Sequence, residues 1–360
     1  LYAYSESPTK NGAGLGNKDY AVRVEVCNPN HLNETNNEKC TGYPSGGFKP
    51  TGLLQDYGAD DTIHFGLITG SYTLNKSGGV LRKNVGSMSD EVNATNGTFL
   101  TPADGLGIVG TLNALRISRY SFSSGQYNSS DSCPWEMASF NDGVCTNWGN
   151  PQSEIYLESL RYLAGKSANF AADDRGKIPG LGVVNWNDPI DNDNYCAPLS
   201  IIQFNASTSS YDSDQLGGFS DIANGKTLSA LTNDVGAAEL AADSTYFVGE
   251  TGSNADQLCT AKSISNLSDV KGTCPDAPRL GGSYQIAGLA YHARVNGIAN
   301  DRETVQTFGV ALAPAVPRIV IPVPGGNGSV SLQPACRNTT TSPDANCAIV
   351  DFKVIEQDHT

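Results

Sequence analysis

Asn150-Pro-Gln-Ser-Glu-Ile-Tyr-Leu-Glu-Ser-Leu-Arg-Tyr-Leu163 reads as an amphipathic helix carrying its own start and stop signals. Asn150 is a favourable N-cap, because its short side chain can accept from the free N–H groups of the first turn. Pro151 stands at the first helical position, where its missing N–H is harmless. Tyr156, Leu160 and Leu163 recur at i, i+4 and i+7 and form one apolar face, and Gly165 ends the element. A helix with one apolar face needs a partner layer, and the flanking sequence supplies strands. Leu199-Ser-Ile-Ile-Gln-Phe204 is an apolar run. Ser283 to Val295 predicts a second helix, with Ile286, Leu289, Ala290 and Ala293 on one face, and Val305-Gln-Thr-Phe-Gly-Val-Ala-Leu312 follows as another strand.

Upstream, Tyr20-Ala-Val-Arg-Val-Glu-Val-Cys27 alternates apolar and polar residues, as a half-buried strand does. Leu53 to Tyr57 predicts a short helical turn closed by Gly58, and Ile63-His-Phe-Gly-Leu-Ile68 a buried strand bounded by Asp60-Asp61 and Gly70. Strands at 20–27, 63–68, 199–204 and 305–312, separated by helices or long connections, predict an α/β fold. Its sheet would be mainly parallel, with helices on both faces. Residues 72–135 are rich in Gly, Ser, Asn and Thr, with short strand candidates such as Leu106–Ile117, and read as an insertion at about 72–146. The expected domain runs over 1–313. A C-terminal β segment over 314–360 would include Arg318–Val323 and Ala348–Ile355.

At 360 residues the chain can bury a full core. Its formal net charge of −14 would repel phosphate backbones and anionic membranes, which excludes nucleic acid as the main partner. No run of apolar residues is long enough for a helical membrane span, so none is expected. The chain opens at Leu1 rather than Met, and the expectation is a piece of a longer exported precursor.

Eight of the nine cysteines fall into neighbouring couples, which predicts disulfides Cys27–Cys40, Cys133–Cys145, Cys259–Cys274 and Cys336–Cys347. Each would close a short polar loop and contribute about 3 kcal/mol in the chain-entropy model. Zinc is the rival, but the Cys-x2-4-Cys and paired-His spacings of zinc sites are missing. Cys196 is left over, as a buried free thiol or the partner of a cysteine elsewhere. Asn-x-Ser/Thr triplets at Asn33, Asn93, Asn128, Asn205 and Asn266 read as products of polar loops rather than glycan sites.

Tyr211-Asp-Ser-Asp214 is the strongest cation candidate, since hard cations need clustered oxygens; the alternative is an ordinary solvated acidic loop. Asp188-Pro-Ile-Asp-Asn-Asp193 lacks the Gly and Glu of a calcium loop, and Asp173-Asp174-Arg175 reads as a solvated turn with a local ion pair. His64 and His292 read as packed or hydrogen-bonded residues. No Ser or Cys nucleophile stands in a motif with a base. Gly105-Leu-Gly-Ile-Val-Gly110 matches the dinucleotide string, but no strand precedes it and the helix is not evident, so it reads as a chance match.

Several phrases in order along the chain resemble the N-terminal region of PilY/PilC-type proteins of the type IV pilus. They include Tyr20-Ala-Val-Arg-Val-Glu-Val-Cys27, Phe48-Lys-Pro-Thr-Gly-Leu-Leu-Gln55, Phe65-Gly-Leu-Ile-Thr-Gly-Ser-Tyr72 and Gly78-Gly-Val-Leu-Arg-Lys-Asn84. Others are Asn147-Trp-Gly-Asn-Pro151, Phe204-Asn-Ala-Ser207 with Ser210-Tyr-Asp-Ser-Asp214, and Ile286-Ala-Gly-Leu-Ala-Tyr291. The resemblance implies a von Willebrand A-like α/β domain, with a β-propeller beyond this chain. It also implies a divalent-cation site, for Ca²⁺ or Mg²⁺. Asn150 stands where that family has Thr, and Ala206 where it has Asp, so the site carried over is degenerate: Asn150, Ser207, Asp212 and Asp214. The implied function is non-enzymatic: adhesion and pilus biogenesis at the tip or outer cell surface, after export through the periplasm. The implied partners are minor pilins, the pilus tip complex, and a host or abiotic surface. Loops 28–39, 122–146 and 206–226 are the expected contacts. The alternatives are a secreted polysaccharide hydrolase, and a metal-dependent adhesive A domain completed by an upstream loop.

Overall fold

The structure is a computed structural model. It describes residues 2–5, 19–22, 25–30, 32, 39–116, 119–121, 124, 126–127, 133, 140–191, 193–240, 245–274, 279–298, 304–312, 319–323, 325 and 328–332. Two compact units emerge, one from residues 1–65 and 85–102, the other from 66–84 and 103–360.

In the first unit, β1 (Tyr2–Ser5) pairs antiparallel with β2 (Asp19–Val22), and β3 (Cys40–Gly42) with β4 (Phe48–Pro50). The expected strand over 20–27 is therefore shorter and belongs to a hairpin-like pair. A disulfide joins Cys27 to Cys40, and helix α1 (Leu53–Gly58) follows β4. Its first turn is closed by Gln55, whose Oε1 accepts from the Gly52 N–H at 3.0 Å. His64, expected inside a strand, lies exposed just before β5 (Phe65–Thr69).

β5 pairs with β6 (Val80–Gly86), and the greater part of both strands belongs to the second unit. Then come α2 (Gly107–Ala114), the two-residue strands β7 (Tyr120–Ser121) and β8 (Gln126–Tyr127), and α3 (Gln152–Leu163). The strand expected within Leu106–Ile117 is thus a helix, because Gly107 adopts φ +67° and turns the chain into it. β9 (Leu199–Asn205), α4 (Leu228–Glu239), β10 (Thr245–Val248) and β11 (Thr260–Ser263) precede α5 (Gln285–Val295) and β12 (Val305–Ala311). The last elements are β13 (Ile319–Pro322) and β14 (Ser329–Leu332), an antiparallel pair. The first of these falls where the C-terminal β segment was expected, while Ala348–Ile355 lies outside the described residues.

The architecture is mixed α/β, built among the described residues from two-stranded sheets. β9 and β12 run parallel, with Ile201 opposite Thr307 and Phe204 opposite Val310. The other strands expected in one parallel sheet, near 20–27 and 63–68, pair among the described residues with their own neighbours. Periodicity identifies a strand and its faces but says nothing of its partner. Among the described residues helices cover one face of the β9–β12 pair. These are α3 and α5, and the Tyr156 hydroxyl bonds to Thr307 Oγ1 at 2.6 Å. The opposite face exposes Ile202 (68%), Phe204 (59%), Phe308 (52%) and Val310 (41%).

The core lies where α3, α4 and α5 meet. Tyr156, Leu157 and Leu160 of α3 join Leu231 of α4, Leu289 and Ala293 of α5, Ile298 and Val305, all buried. Helices α4 and α5 approach so closely that a Cβ on Gly288 would stand 2.2 Å from Thr232 Oγ1 and 2.8 Å from its backbone N. His292 is buried beneath them, and its Nε2 lies 2.7 Å from the Ile222 carbonyl oxygen. Cys133 is joined to Cys145 and Cys259 to Cys274, whereas the Cys336–Cys347 couple lies outside the described residues. Cys196 is free and exposed, not buried as one of its readings had it.

Candidate functional site

Polar groups concentrate at the C-terminal end of β9, above the first turn of α3. The loop that enters α3 is held from below by Asn75. Its Nδ2 donates to the carbonyls of Val144 (3.3 Å), Cys145 (3.3 Å) and Trp148 (2.7 Å), and its Oδ1 accepts from the Gly143 N–H (2.8 Å). Gly149 lies against that segment at φ +113°, where a Cβ would be 1.9 Å from the Asn75 carbonyl oxygen. Only glycine fits such a contact. Asn150 follows, paired through its backbone with Ser210.

The structure brings Asn150 and Ser207 together. Asn150 Nδ2 faces four oxygens: Asn205 Oδ1 (3.0 Å), Ser207 O (3.1 Å), Ser207 Oγ (3.2 Å) and Thr208 O (3.1 Å). An amide nitrogen carries two protons, so these bonds are shared. Asn150 Oδ1 accepts from Gln152 Nε2, and Gln152 Oε1 from Gln203 Nε2, which completes an amide chain across the top of β9. Asn150 is thus not the N-cap that its sequence position indicated. Pro151 occupies that position, and Asn150 ties the two loops together.

The cap comes from a distant carboxylate. Asp212, buried and 59 positions along the chain, accepts from the Ser153 N–H (2.6 Å) and Ser153 Oγ (2.9 Å), and from Ser283 Oγ at the start of α5 (2.7 Å). A carboxylate there satisfies a free helix N–H and lies at the positive end of the helix dipole. Beside it, fully buried Glu154 accepts through Oε1 from the N–H groups of Ser213 (2.7 Å) and Gln215 (3.3 Å). Its Oε2 has no other hydrogen-bond donor and faces Asp212. Burial, then the Asp212 charge, then their shared hydrogen bond push Glu154 up to about 9. Burial raises Asp212 as well, but its donors Ser153 and Ser283 oppose the rise, so the proton belongs on Glu154. The surroundings thus favour the proton on Glu154 and the charge on Asp212.

This lock holds an unfavourable backbone. Tyr211 and Ser213 take φ +49° and +93°, regions that L side chains rarely adopt. They are fixed by the Tyr211 N–H to the Leu280 carbonyl (2.5 Å), the Asp212 N–H to the Gly281 carbonyl (3.2 Å), and the Ser213–Glu154 bond. Asp214 is exposed.

The four residues carried over for a divalent cation therefore divide. Asn150 and Ser207 touch, Asp212 is committed to the helix cap, and Asp214 stands in solvent. The group aimed into the oxygen cluster is a donor, the Asn150 amide. Among the described residues no three His, Cys, Asp or Glu side chains group to hold a metal. These residues, as arranged, do not fit such an ion. Of the other acidic motifs, 188–193 and Asp173 form local turns, but Asp174 is not the solvated residue expected: it is fully buried and paired with Arg82. Asp188 Oδ1 accepts from the Ile190 N–H, Asp191 Oδ1 from the Asp193 N–H, and exposed Asp173 accepts from Arg175 Nε at 2.8 Å.

Residues 65–293 match the family model described as PilY1 homolog, second domain. The chain belongs to the PilY1 homolog family. It is 34% identical over 359 residues, 91% of its own length, to the type IV pilus biogenesis factor PilY1 homolog of Xylella fastidiosa. It covers 24% of that relative's length. No solved structure matches this chain. In this PilY1-family chain Glu154 was not legible as a site residue. An acidic residue in the first turn of a helix is ordinary, and nothing local indicates that Asp212 will face it. Of the expected contact loops, much of 28–39 and 122–146 lies outside the described residues, and 206–226 is the one built into the site.

Proposed function

We propose that this region is a non-enzymatic adhesion and assembly module of a type IV pilus tip. It would contact minor pilins and, through its loops, a host or abiotic surface. The observation that carries the reading is the 34% identity, over 91% of this chain, to a protein named as a type IV pilus biogenesis factor. The three disulfides among the described residues fit an exported protein, since such bonds persist in oxidising compartments. No helix among the described residues is long and apolar enough to cross a membrane. The buried acids act on the protein itself: they cap a helix and fix a loop. Glycoside hydrolysis needs two carboxyl groups about 5–9 Å apart flanking a cleft. Glu154 and Asp212 are instead buried against one another, so this pair lends the hydrolase reading no support.

The von Willebrand A-like sheet belongs to the same proposal. The parallel β9–β12 pair is its support, because parallel strands are ordinarily covered on both faces and here one apolar face is open. Further strands and a second helical layer would complete such a sheet. Surface plasmon resonance of the immobilised, oxidised chain against purified minor pilins tests the assembly role. Saturable binding that is lost after reduction of the disulfides is expected. Absence of binding by the folded, oxidised chain would contradict it.

A further inference from the structure

A second polar feature shares no residue with the Asn150–Asp212 cluster. The turn into α2 and the segment 180–184 enclose a cavity of about 320 Å³. That is near the lower end of the range for small-molecule sites. The Gly105–Gly110 string forms part of its wall, with Gly105 and Leu106 facing the space. The string's glycines have a structural use after all: Gly107, at φ +67°, starts the helix that carries Thr111 to the cavity.

Thr111 supplies the observation that points to a ligand. The residue is 1% exposed, lines the cavity, and its Oγ1 has no hydrogen-bond partner. A buried hydroxyl left without a partner is unfavourable, and such groups are rare unless something else completes them. Asp104, exposed at the same wall, adds a carboxylate that accepts hydrogen bonds. Leu106, Val183 and Val184 add carbon surface.

The charges present argue against an anion. Arg82 lines the cavity, but every nitrogen of its guanidinium is engaged. Nε donates to Thr69 Oγ1 (2.9 Å), Nη1 to the Gly182 carbonyl (2.8 Å), and Nη2 to the Gly70 carbonyl (3.1 Å) and to Asp174. Arg175 is held by both oxygens of Asp173, at 2.8 and 2.9 Å. With both guanidinium groups matched by carboxylates and Asp104 adding a negative charge, a phosphate or carboxylate would find no uncommitted cation. A ligand that donates hydroxyls and lays a C–H face on aliphatic side chains satisfies every group.

We propose that this cavity binds a neutral sugar ring, a single hexose, with its hydroxyls on Thr111 and Asp104 and its ring carbons against Leu106, Val183 and Val184. The inference does not rest on the pilus reading. Sugar binding without minor-pilin binding, or the reverse, separates the two.

Saturation-transfer NMR with the methyl glycosides of galactose, glucose and mannose tests it on the oxidised chain. Glucose 6-phosphate and methyl glucuronide serve as anionic counterparts. At least one neutral hexoside is expected to bind, and Thr111→Val and Asp104→Asn each to weaken it about tenfold, the loss of one hydrogen bond. Asp104 is exposed, so its variant keeps the fold, and circular dichroism verifies both. A disaccharide ending in the same hexose separates a glycan terminus, which it would match, from a free sugar, which it would not; either upholds the site. Three results would overturn the proposal. One is no transfer from any hexoside at about 10 mM, weaker than any useful site. The others are preferred binding of the anionic sugars, and hexoside binding unchanged in both variants.

Discussion

Two buried carboxyl clusters in the larger unit solve the same problem in opposite ways. Asp174, fully buried, meets the Arg82 guanidinium and accepts from Ser71 Oγ (3.0 Å), the Tyr72 N–H (3.1 Å) and the Thr73 N–H (3.1 Å). Its charge is matched by a cation, and its remaining lone pairs are filled from one turn of chain. Asp212 is almost as buried, yet the ionisable group beside it is Glu154, a second acid. There the balance is struck by a proton and by the helix N-terminus. The lesson is that a buried acid in this chain need not signal chemistry or a metal. A full set of donors marks a structural role.

The largest effect is expected from Arg82→Ala, which leaves Asp174 charged and buried. Urea unfolding should show a loss of about 3–5 kcal/mol, as for other buried pairs broken on one side. A loss below about 1 kcal/mol would mean that Asp174 is adequately served by its other donors. Asp212→Ala comes next. It uncaps α3 and frees Ser283, for about 2–3 kcal/mol by the same measurement, with the strained Tyr211–Ser213 loop gaining protease sensitivity. Gly288→Ala pushes α4 and α5 apart and should cost about 1–3 kcal/mol, without changing the pH response of the Glu154–Asp212 pair.

Glu154→Gln should be smallest near neutral pH, within about 1 kcal/mol of the parent, because the amide keeps a donor toward Asp212. Its signature is in the pH profile. Glu154 is raised from the ordinary 4.5 to about 9, so between those values the folded chain holds a proton that the unfolded chain has released. Stability contributed by that proton is fully present below the unfolded value and falls as pH rises, by up to about 1.4 kcal/mol per pH unit. The Gln variant should flatten this slope between pH 5 and 9. An unchanged slope would assign the titration to another group.

Helix α3 was legible because Pro151 and Gly165 are local punctuation and its apolar face has the helical period. Gly165 does take φ +68°, just beyond the last turn. What closes its first turn was not legible, since the cap comes from Asp212, far along the chain. Helix α4 was missed altogether. Its span of Ser, Thr, Asn, Asp, Gly and Ala resembles the surrounding loops, and its Thr227 cap is one such residue among many. The strand at 199–204 was legible but its burial was not. An apolar run reads as buried on both sides, and Ile202 and Phe204 stand exposed. The Gly105–Gly110 string shows the converse: its glycines were read as chance, and one of them starts a helix.

The surroundings of the buried pair predict that Glu154 keeps its proton at neutral pH while Asp212 carries the charge. Infrared difference spectroscopy between the parent chain and Glu154→Gln, at pH 7 in the folded state, tests it directly. A protonated-carboxyl C=O band present in the parent, absent in the variant, and giving way to a carboxylate band only near pH 9, is the predicted result. A parent spectrum with only carboxylate bands at pH 7 would contradict the account, and would leave two buried charges whose counter-ion must then be sought.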